Sequence, residues 1–389
     1  MRLHISFRTL VYTAAALVAL FAVPLAAQQA PRRPPLPDTA DVNDWEAYYD
    51  YGYKMFKASP ERADAAFYWA SRLDPERAEP LFGRWAAYWY RWDGRFAEYL
   101  QDELKGEDLK EAVRVDSLRL RAMLRNPFVQ RDLLVPAYDR LPGRWGDDPA
   151  TRGILATAQH DYARAVALLN VALQHGSRPW LHEDRAIAFV ALGRFDSAKV
   201  ETETLLAELH RADERRMVRV YESKGVVEYG LGMLNLARRD QPAAREAFGR
   251  ALTEDLALAP AHAMLGMLAL AQRDTAAGFA EYRQAVELAP EDPVLRVRFG
   301  DALTGAGRAA EAVEHLRRAV ALEPAYAAGY ESLGRALAAS GERAAALDAY
   351  AAYLVRAPRR EAARIAAVRR RVEALSAPPA AAPAPTPIP

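Results

Sequence analysis

Large apolar residues return along this chain at a fixed interval. Leu231, Leu265, Phe299 and Leu333 each precede a glycine, and those glycines (Gly232, Gly266, Gly300, Gly334) stand 34 residues apart. Twelve residues past each glycine is a small residue (Ala244, Gly278, Ala312, Ala346), and four further on is a ring or a leucine (Phe248, Tyr282, Leu316, Tyr350). Three more residues bring Ala251, Ala285, Ala319 and Tyr353, and Pro290, Pro324 and Pro358 close three of the four units at one offset. This ladder predicts two antiparallel helices per repeat, with the small residues where their backbones nearly touch and the rings filling the gap to the next repeat. Asp240 and Asp274 stand as N-caps of the second helix, Pro242 fits its first turn, and Gly341 fits the matching break in the last repeat.

The ladder resembles the tetratricopeptide repeat family, over repeats at 225–258, 259–292, 293–326 and 327–360. The resemblance implies an all-α fold, a right-handed solenoid of antiparallel helix pairs, with the first helix of each repeat lining a concave groove. Upstream the pattern loosens. Leu192-Gly193-Arg194-Phe195 with Ala198, and Asp161-Tyr162-Ala163 with Leu169 and Ala172, mark two degenerate repeats within 146–212, both lacking the large-residue–glycine pair in their first helix. Residues 213–224 read as a helical insertion, 106–145 as an irregular helical connection, and 43–105 as aromatic-rich degenerate repeats in which Gly52 answers Phe67 and Asn43 with Glu46 forms a capping box. After the last repeat, Ile365, Val368, Val372 and Leu375 make one apolar stripe opposite Arg364, Arg369, Arg370 and Arg371, as a capping helix over 361–375 requires.

The ends of the chain have a different character. Arg2 and Arg8 precede an uncharged apolar run, Leu10 to Val23, and small residues before Gln28, so residues 1–27 read as a cleaved export signal, too short for a comfortable membrane span. Residues 28–42 are proline-rich and read as an extended tether; 376–389 hold alanine and proline without charge and read as a disordered tail. The expected location is therefore periplasmic or secreted, with no integral span after cleavage.

Charge is balanced at 52 basic against 51 acidic residues, which points away from nucleic acid, and the absence of cysteine excludes disulfides, thiolate metal sites and cysteine nucleophiles. The seven histidines form no metal-binding pair, His182-Glu183-Asp184 being a polar cluster only, and no hydrolase elbow is present. Gly300 and Gly305 have the spacing of a phosphate loop without its lysine and are read as a packing glycine and a turn. No catalytic residue, cofactor or metal is expected. What remains is surface. The resemblance implies that Tyr229, Met233 and Leu236 of one repeat and Met264, Met267 and Leu270 of the next face or adjoin a bound peptide, a set suited to an adaptable apolar ligand. Aspartate, glutamate and arginine (Asp301, Glu331, Arg335) make the groove polar in the last two repeats. The functional expectation is a non-catalytic scaffold holding a protein or peptide. The alternative is a cell-wall glycan module built on residues 45–99, which hold 17 of the chain's 37 aromatics, including Trp45, Trp69, Trp85, Trp89 and Trp92. Self-association through the groove is a third reading.

Overall fold

The computed structural model describes residues 30–56, 58–77, 80–81, 83–84, 87, 149–158, 160–176, 179–214 and 224–377. Every regular element among them is helical. In chain order they are α1 (Trp45–Met55), α2 (Pro60–Leu73), α3 (Pro149–Ala158), α4 (Tyr162–Gln174), α5 (Pro179–Ala191), α6 (Phe195–Glu214), α7 (Lys224–Ala237) and α8 (Gln241–Glu254). There follow α9 (Ala259–Ala271), α10 (Thr275–Leu288), α11 (Pro293–Gly305), α12 (Ala309–Leu322), α13 (Ala327–Ala339), α14 (Arg343–Arg356) and α15 (Ala362–Ser376). Consecutive helices pack as pairs, α1 with α2 through α13 with α14. The chain divides into two compact units, one of residues 1–38 and 45–290, the other of 39–44 and 291–389. Within the first, α4 meets α5, α6 meets α7 and α8 meets α9; within the second, α12 meets α13 and α14 meets α15.

The recurring glycine is a packing requirement. A Cβ placed on Gly232 would lie 2.4 Å from a Phe248 ring carbon; on Gly266, 2.8 Å from Tyr282; on Gly300, 2.5 Å from Leu316; on Gly334, 2.6 Å from Tyr350. The side chain sixteen residues on therefore lies directly on the glycine's backbone, and Phe248 and Leu316 are fully buried by doing so. The same device recurs upstream, with Gly52 under Phe67 at 2.8 Å and Gly153 under Leu169 at 2.7 Å. Gly153 corrects the sequence reading of 146–178: the packing glycine is present, and only the large residue before it is replaced, by Arg152. In the repeat that follows, Ala186 and Thr202, both buried, hold the corresponding positions, so a smaller side chain opposite accommodates a methyl group.

The turn inside each repeat is equally regular. In the six repeats that begin at 146, 179, 225, 259, 293 and 327 the fifteenth residue has positive φ: His160 61°, Gly193 71°, Arg239 62°, Arg273 64°, Gly307 77° and Gly341 87°. Gly305, read from sequence as a turn, instead ends α11, and Gly307 takes the left-handed conformation. The aspartates that follow cap the next helix, Asp240 accepting from the Ala243 amide at 3.1 Å and Asp274 from Ala277 at 3.0 Å.

Two expectations near the N-terminus are corrected. Residues 30–37 form neither helix nor strand, as expected of a proline-rich stretch, yet they are not a free tether. Pro34 is buried and Leu36 packs on the cluster of Trp45, Tyr48 and Ala70, because extended proline offers apolar rings without an ordering cost. Nor does Asn43 cap a helix: α1 begins at Trp45, and the Asn43 amide donates to the Val355 carbonyl at 2.7 Å. In the same place Asp41 accepts from the Arg359 backbone at 2.5 Å and Asp44 pairs with Arg360 at 3.2 Å. The expected export signal at 1–27, residues 106–145, most of the expected insertion at 213–224 and the residues from 378 lie outside the described residues.

Candidate partner-binding groove

Met233 on α7 and Met267 on α9 occupy the ninth position of consecutive repeats, and they are 42% and 37% exposed. The other four expected groove residues are used for packing. Met264 is buried with Phe248 and Leu268, and Tyr229 and Leu236 pack on that cluster. The Tyr229 ring lies 5.4 Å from that of Phe248, and Leu270 covers Gly278, where a Cβ would meet its Cγ at 2.6 Å. At a groove offset the sequence reading passed over Val190, near the end of α5, which is 41% exposed. Its signal was its offset, the twelfth position of its repeat, which Leu236 and Leu270 share.

Polar ties set the first helix against the second in three successive repeats. His182 Nδ1 meets Glu201 at 2.8 Å, with Arg185 on the same carboxylate at 2.7 Å and His182 Nε2 3.7 Å from Glu208. The same two offsets recur in His262 and Glu281, 2.7 Å apart. In the intervening repeat Glu228, buried, takes both arms of Arg250 at 2.9 Å. Burial alone would raise the Glu201 carboxyl, but hydrogen bonds from His182 and Arg185 outweigh it and hold it below the ordinary carboxylate range. His182 is therefore engaged with carboxylates across the helix pair, and among the described residues no three His, Asp or Glu side chains gather as metal ligands would.

In the smaller unit the three polar groove residues are paired. Arg335 donates to Asp301 at 2.7 Å and to Ser332 at 3.1 Å, linking α13 to α11. Glu331, buried, accepts from Arg364 Nε at 2.5 Å and from Arg371 at 2.8 Å. These two arginines come from α15, whose Val368 is fully buried among Tyr350, Tyr353 and Ala357, with Ile365, Val372 and Leu375 alongside. The capping helix thus lays its apolar stripe on the last repeat and turns two of its four arginines onto Glu331.

The aromatic block is partly within the described residues. Tyr48, Phe56 and Phe67 are buried, as are Trp45 and Tyr68 to 8% and 7% exposure, and Trp69 donates its indole N–H to the Pro31 carbonyl at 2.9 Å. Trp85, Trp89 and Trp92 lie outside the described residues.

Comparison with known proteins leads to one family. The tetratricopeptide repeat model matches residues 259–292, the stretch marked off by the glycine spacing. The small glutamine-rich tetratricopeptide repeat-containing protein 2 of Mycosarcoma maydis is 32% identical over 97 residues, 25% of this chain and 28% of the relative. A TPR repeat-containing protein of Pseudomonas aeruginosa (PA0015) is 40% identical over 60 residues, 15% of this chain and 57% of the relative. The match thus spans under a third of the one relative and a little over half of the other. Among solved structures, the C-terminal part of a TPR repeat-containing protein from Cytophaga hutchinsonii aligns with a TM-score of 0.44 at 16% identity, covering 53% of this chain and 78% of that one. With its helices paired, its small residues at the close approaches and its turns uniform at one offset, this chain belongs to the tetratricopeptide repeat family.

Proposed function

We propose that this protein is an exported, non-catalytic scaffold that holds an apolar segment of a partner protein against the first helices of its central repeats. One observation carries the reading: Met233 and Met267 stand exposed at the same position of successive repeats, while the apolar neighbours around them are taken up in packing. Methionine is flexible and polarisable, so two of them at one offset suit a surface that adapts to a ligand. In the smaller unit the same offset holds Asp301 and Arg335, bonded to each other, which restricts an apolar ligand to the central repeats. The apolar run from Leu10 to Val23 behind two arginines supports export.

The chain has no cysteine, so single cysteines report one site each. Met233→Cys and Met267→Cys, carrying a photocrosslinker, are expected to trap the same partner in the cell envelope. Leu256→Cys, at a residue 75% exposed and outside the groove positions, is the control. Trapping of the same species at Leu256, or undiminished trapping at position 233 when Met267 is replaced by Glu, would overturn the groove. Mass spectrometry of the envelope fraction tests export separately: a mature chain starting at Gln28 is expected, and a chain retaining Met1 in the cytosol ends that part of the reading.

A further inference from the structure

The strap at residues 30–38 meets α1 and α2 through contacts of a recognisable kind. The Trp69 indole N–H donates to the Pro31 carbonyl at 2.9 Å. The Arg33 guanidinium lies over two rings at once, 5.0 Å from the Tyr48 centroid and 5.0 Å from that of Trp69. Pro34 is buried, and Leu36 packs against Trp45, Tyr48 and Ala70. The sequence, Pro31-Arg32-Arg33-Pro34-Pro35-Leu36-Pro37, carries prolines three apart with two arginines between the first pair. Proline fixes its own φ and leaves its neighbours' carbonyls without intrachain partners, so such a segment arrives pre-extended and with acceptors free. An aromatic platform with an indole donor and faces for a cation supplies what it lacks.

We propose that the α1–α2 face bearing Tyr48 and Trp69 is a receptor surface for a proline-rich, arginine-containing segment. It is filled in cis by residues 31–36 and opens to such a segment of another protein when the strap is displaced. This is independent of the methionine groove, which lies on other helices. The strap's own connection to α1 is short, so it occupies its site at an effective concentration on the order of millimolar. An outside ligand must therefore exceed it in affinity or in local concentration, and the strap sets a threshold for binding.

The test uses the full chain and a fluorescein-labelled peptide of residues 30–38. Wild type is expected to bind this peptide at least about 10-fold more weakly than the chain carrying Arg33→Ala and Pro34→Gly, whose strap is weakened. Trp69→Phe in that weakened chain should abolish the binding, and so should Arg33→Ala in the peptide. No saturable binding to the weakened chain up to millimolar peptide, with helicity unchanged, overturns the proposal, as does equal binding after Trp69→Phe. Should the weakened chain fail to fold, wild type answers the question by trypsin cleavage between Arg32 and Arg33, followed by mass spectrometry. A competitor peptide with Arg32→Gln keeps only the trypsin-resistant Arg33–Pro34 bond. It is expected to accelerate cleavage of the displaced strap; a cleavage rate unmoved by saturating competitor refutes the exchange.

Discussion

Gly232→Ala is the sharpest probe of the repeat packing. The added Cβ would sit 2.4 Å from Cε1 and 2.6 Å from Cδ1 of Phe248, whereas carbon atoms rest comfortably at about 3.5–4.0 Å. Phe248 is fully buried, so its ring has no open side to move into. Overpacking of this kind costs about 1–3 kcal/mol. Against it stands the helix preference of alanine over glycine, about 0.8–1.0 kcal/mol, leaving a net loss of up to about 2 kcal/mol. The partner substitution isolates the cause. In a Phe248→Thr background the methyl group meets a shorter side chain, as Ala186 meets Thr202, and the overpacking should vanish, a coupling of about 1–3 kcal/mol. Thermal melting by circular dichroism reads this at about 1–2 °C per kcal/mol for a chain of this size. Because repeat arrays can open in parts, hydrogen exchange of the α7 and α8 amides supplies the local value. If Gly232→Ala melts at or above wild type, or costs the same with Phe or Thr at position 248, the close-packing argument fails.

Other predictions follow from the same coordinates. Arg273 holds φ 64° where Gly307 and Gly341 hold 77° and 87°. A side chain there costs about 1–2 kcal/mol and glycine's extra unfolded freedom returns part of it, so Arg273→Gly should gain about 0.5–1 kcal/mol and Gly307→Ala should lose about 1 kcal/mol in denaturant titration. Burial would raise the Glu331 carboxyl, but Arg364 and Arg371 outweigh it and hold it below its ordinary 4.5. Its contribution is therefore full above pH 4.5 and is lost as pH falls from there through the lowered folded value. Glu331→Gln should remove that acid dependence and cost about 1–2 kcal/mol at neutral pH, less than a fully buried pair because both arginines are 43% exposed, with hydrogen exchange of α15 as the readout. His315 is held below its ordinary 6.5 by burial and then by Arg296, and its ring lies 4.5 Å from Phe299. The α11–α12 pair should accordingly lose stability as pH falls below 6.5, and His315→Gln should flatten that stretch of the pH–melting profile.

The fold was legible where one residue type is the only solution to a contact. Gly232, Gly266, Gly300 and Gly334 sit where a Cβ has no room, so the spacing of the helix pairs was written in four identical letters. The turns were half legible. Their left-handed residue is glycine at 193, 307 and 341 but histidine or arginine at 160, 239 and 273, where the chain tolerates the strain and the composition conceals the repeat. Gly153 was concealed differently, by Arg152 in place of the expected large apolar residue before it.

The candidate sites were less legible because the sequence does not distinguish a side chain that lines a surface from one that fills the gap to the next helix. Met264 and Met267 are three residues apart on α9; a helix turns by nearly a full circle in that distance, yet one is 8% exposed and the other 37%. The difference is made by Tyr229 on α7 and Phe248 on α8, which close over Met264 together with Leu268 of its own helix. The strap shows the same limit in reverse. Its prolines predict extension and say nothing of attachment; only the meeting of Pro31 with Trp69, 38 residues away, turns an extended segment into a bound one. The capping helix joins the two cases. Val368 falls at the offset where every one of the four regular repeats has glycine, and it is fully buried without strain on the pattern, because among the described residues no second helix follows α15 to press a ring onto its backbone. Glycine at that offset is therefore a property of the helix pair, and its replacement by valine marks where, among the described residues, the pairing stops.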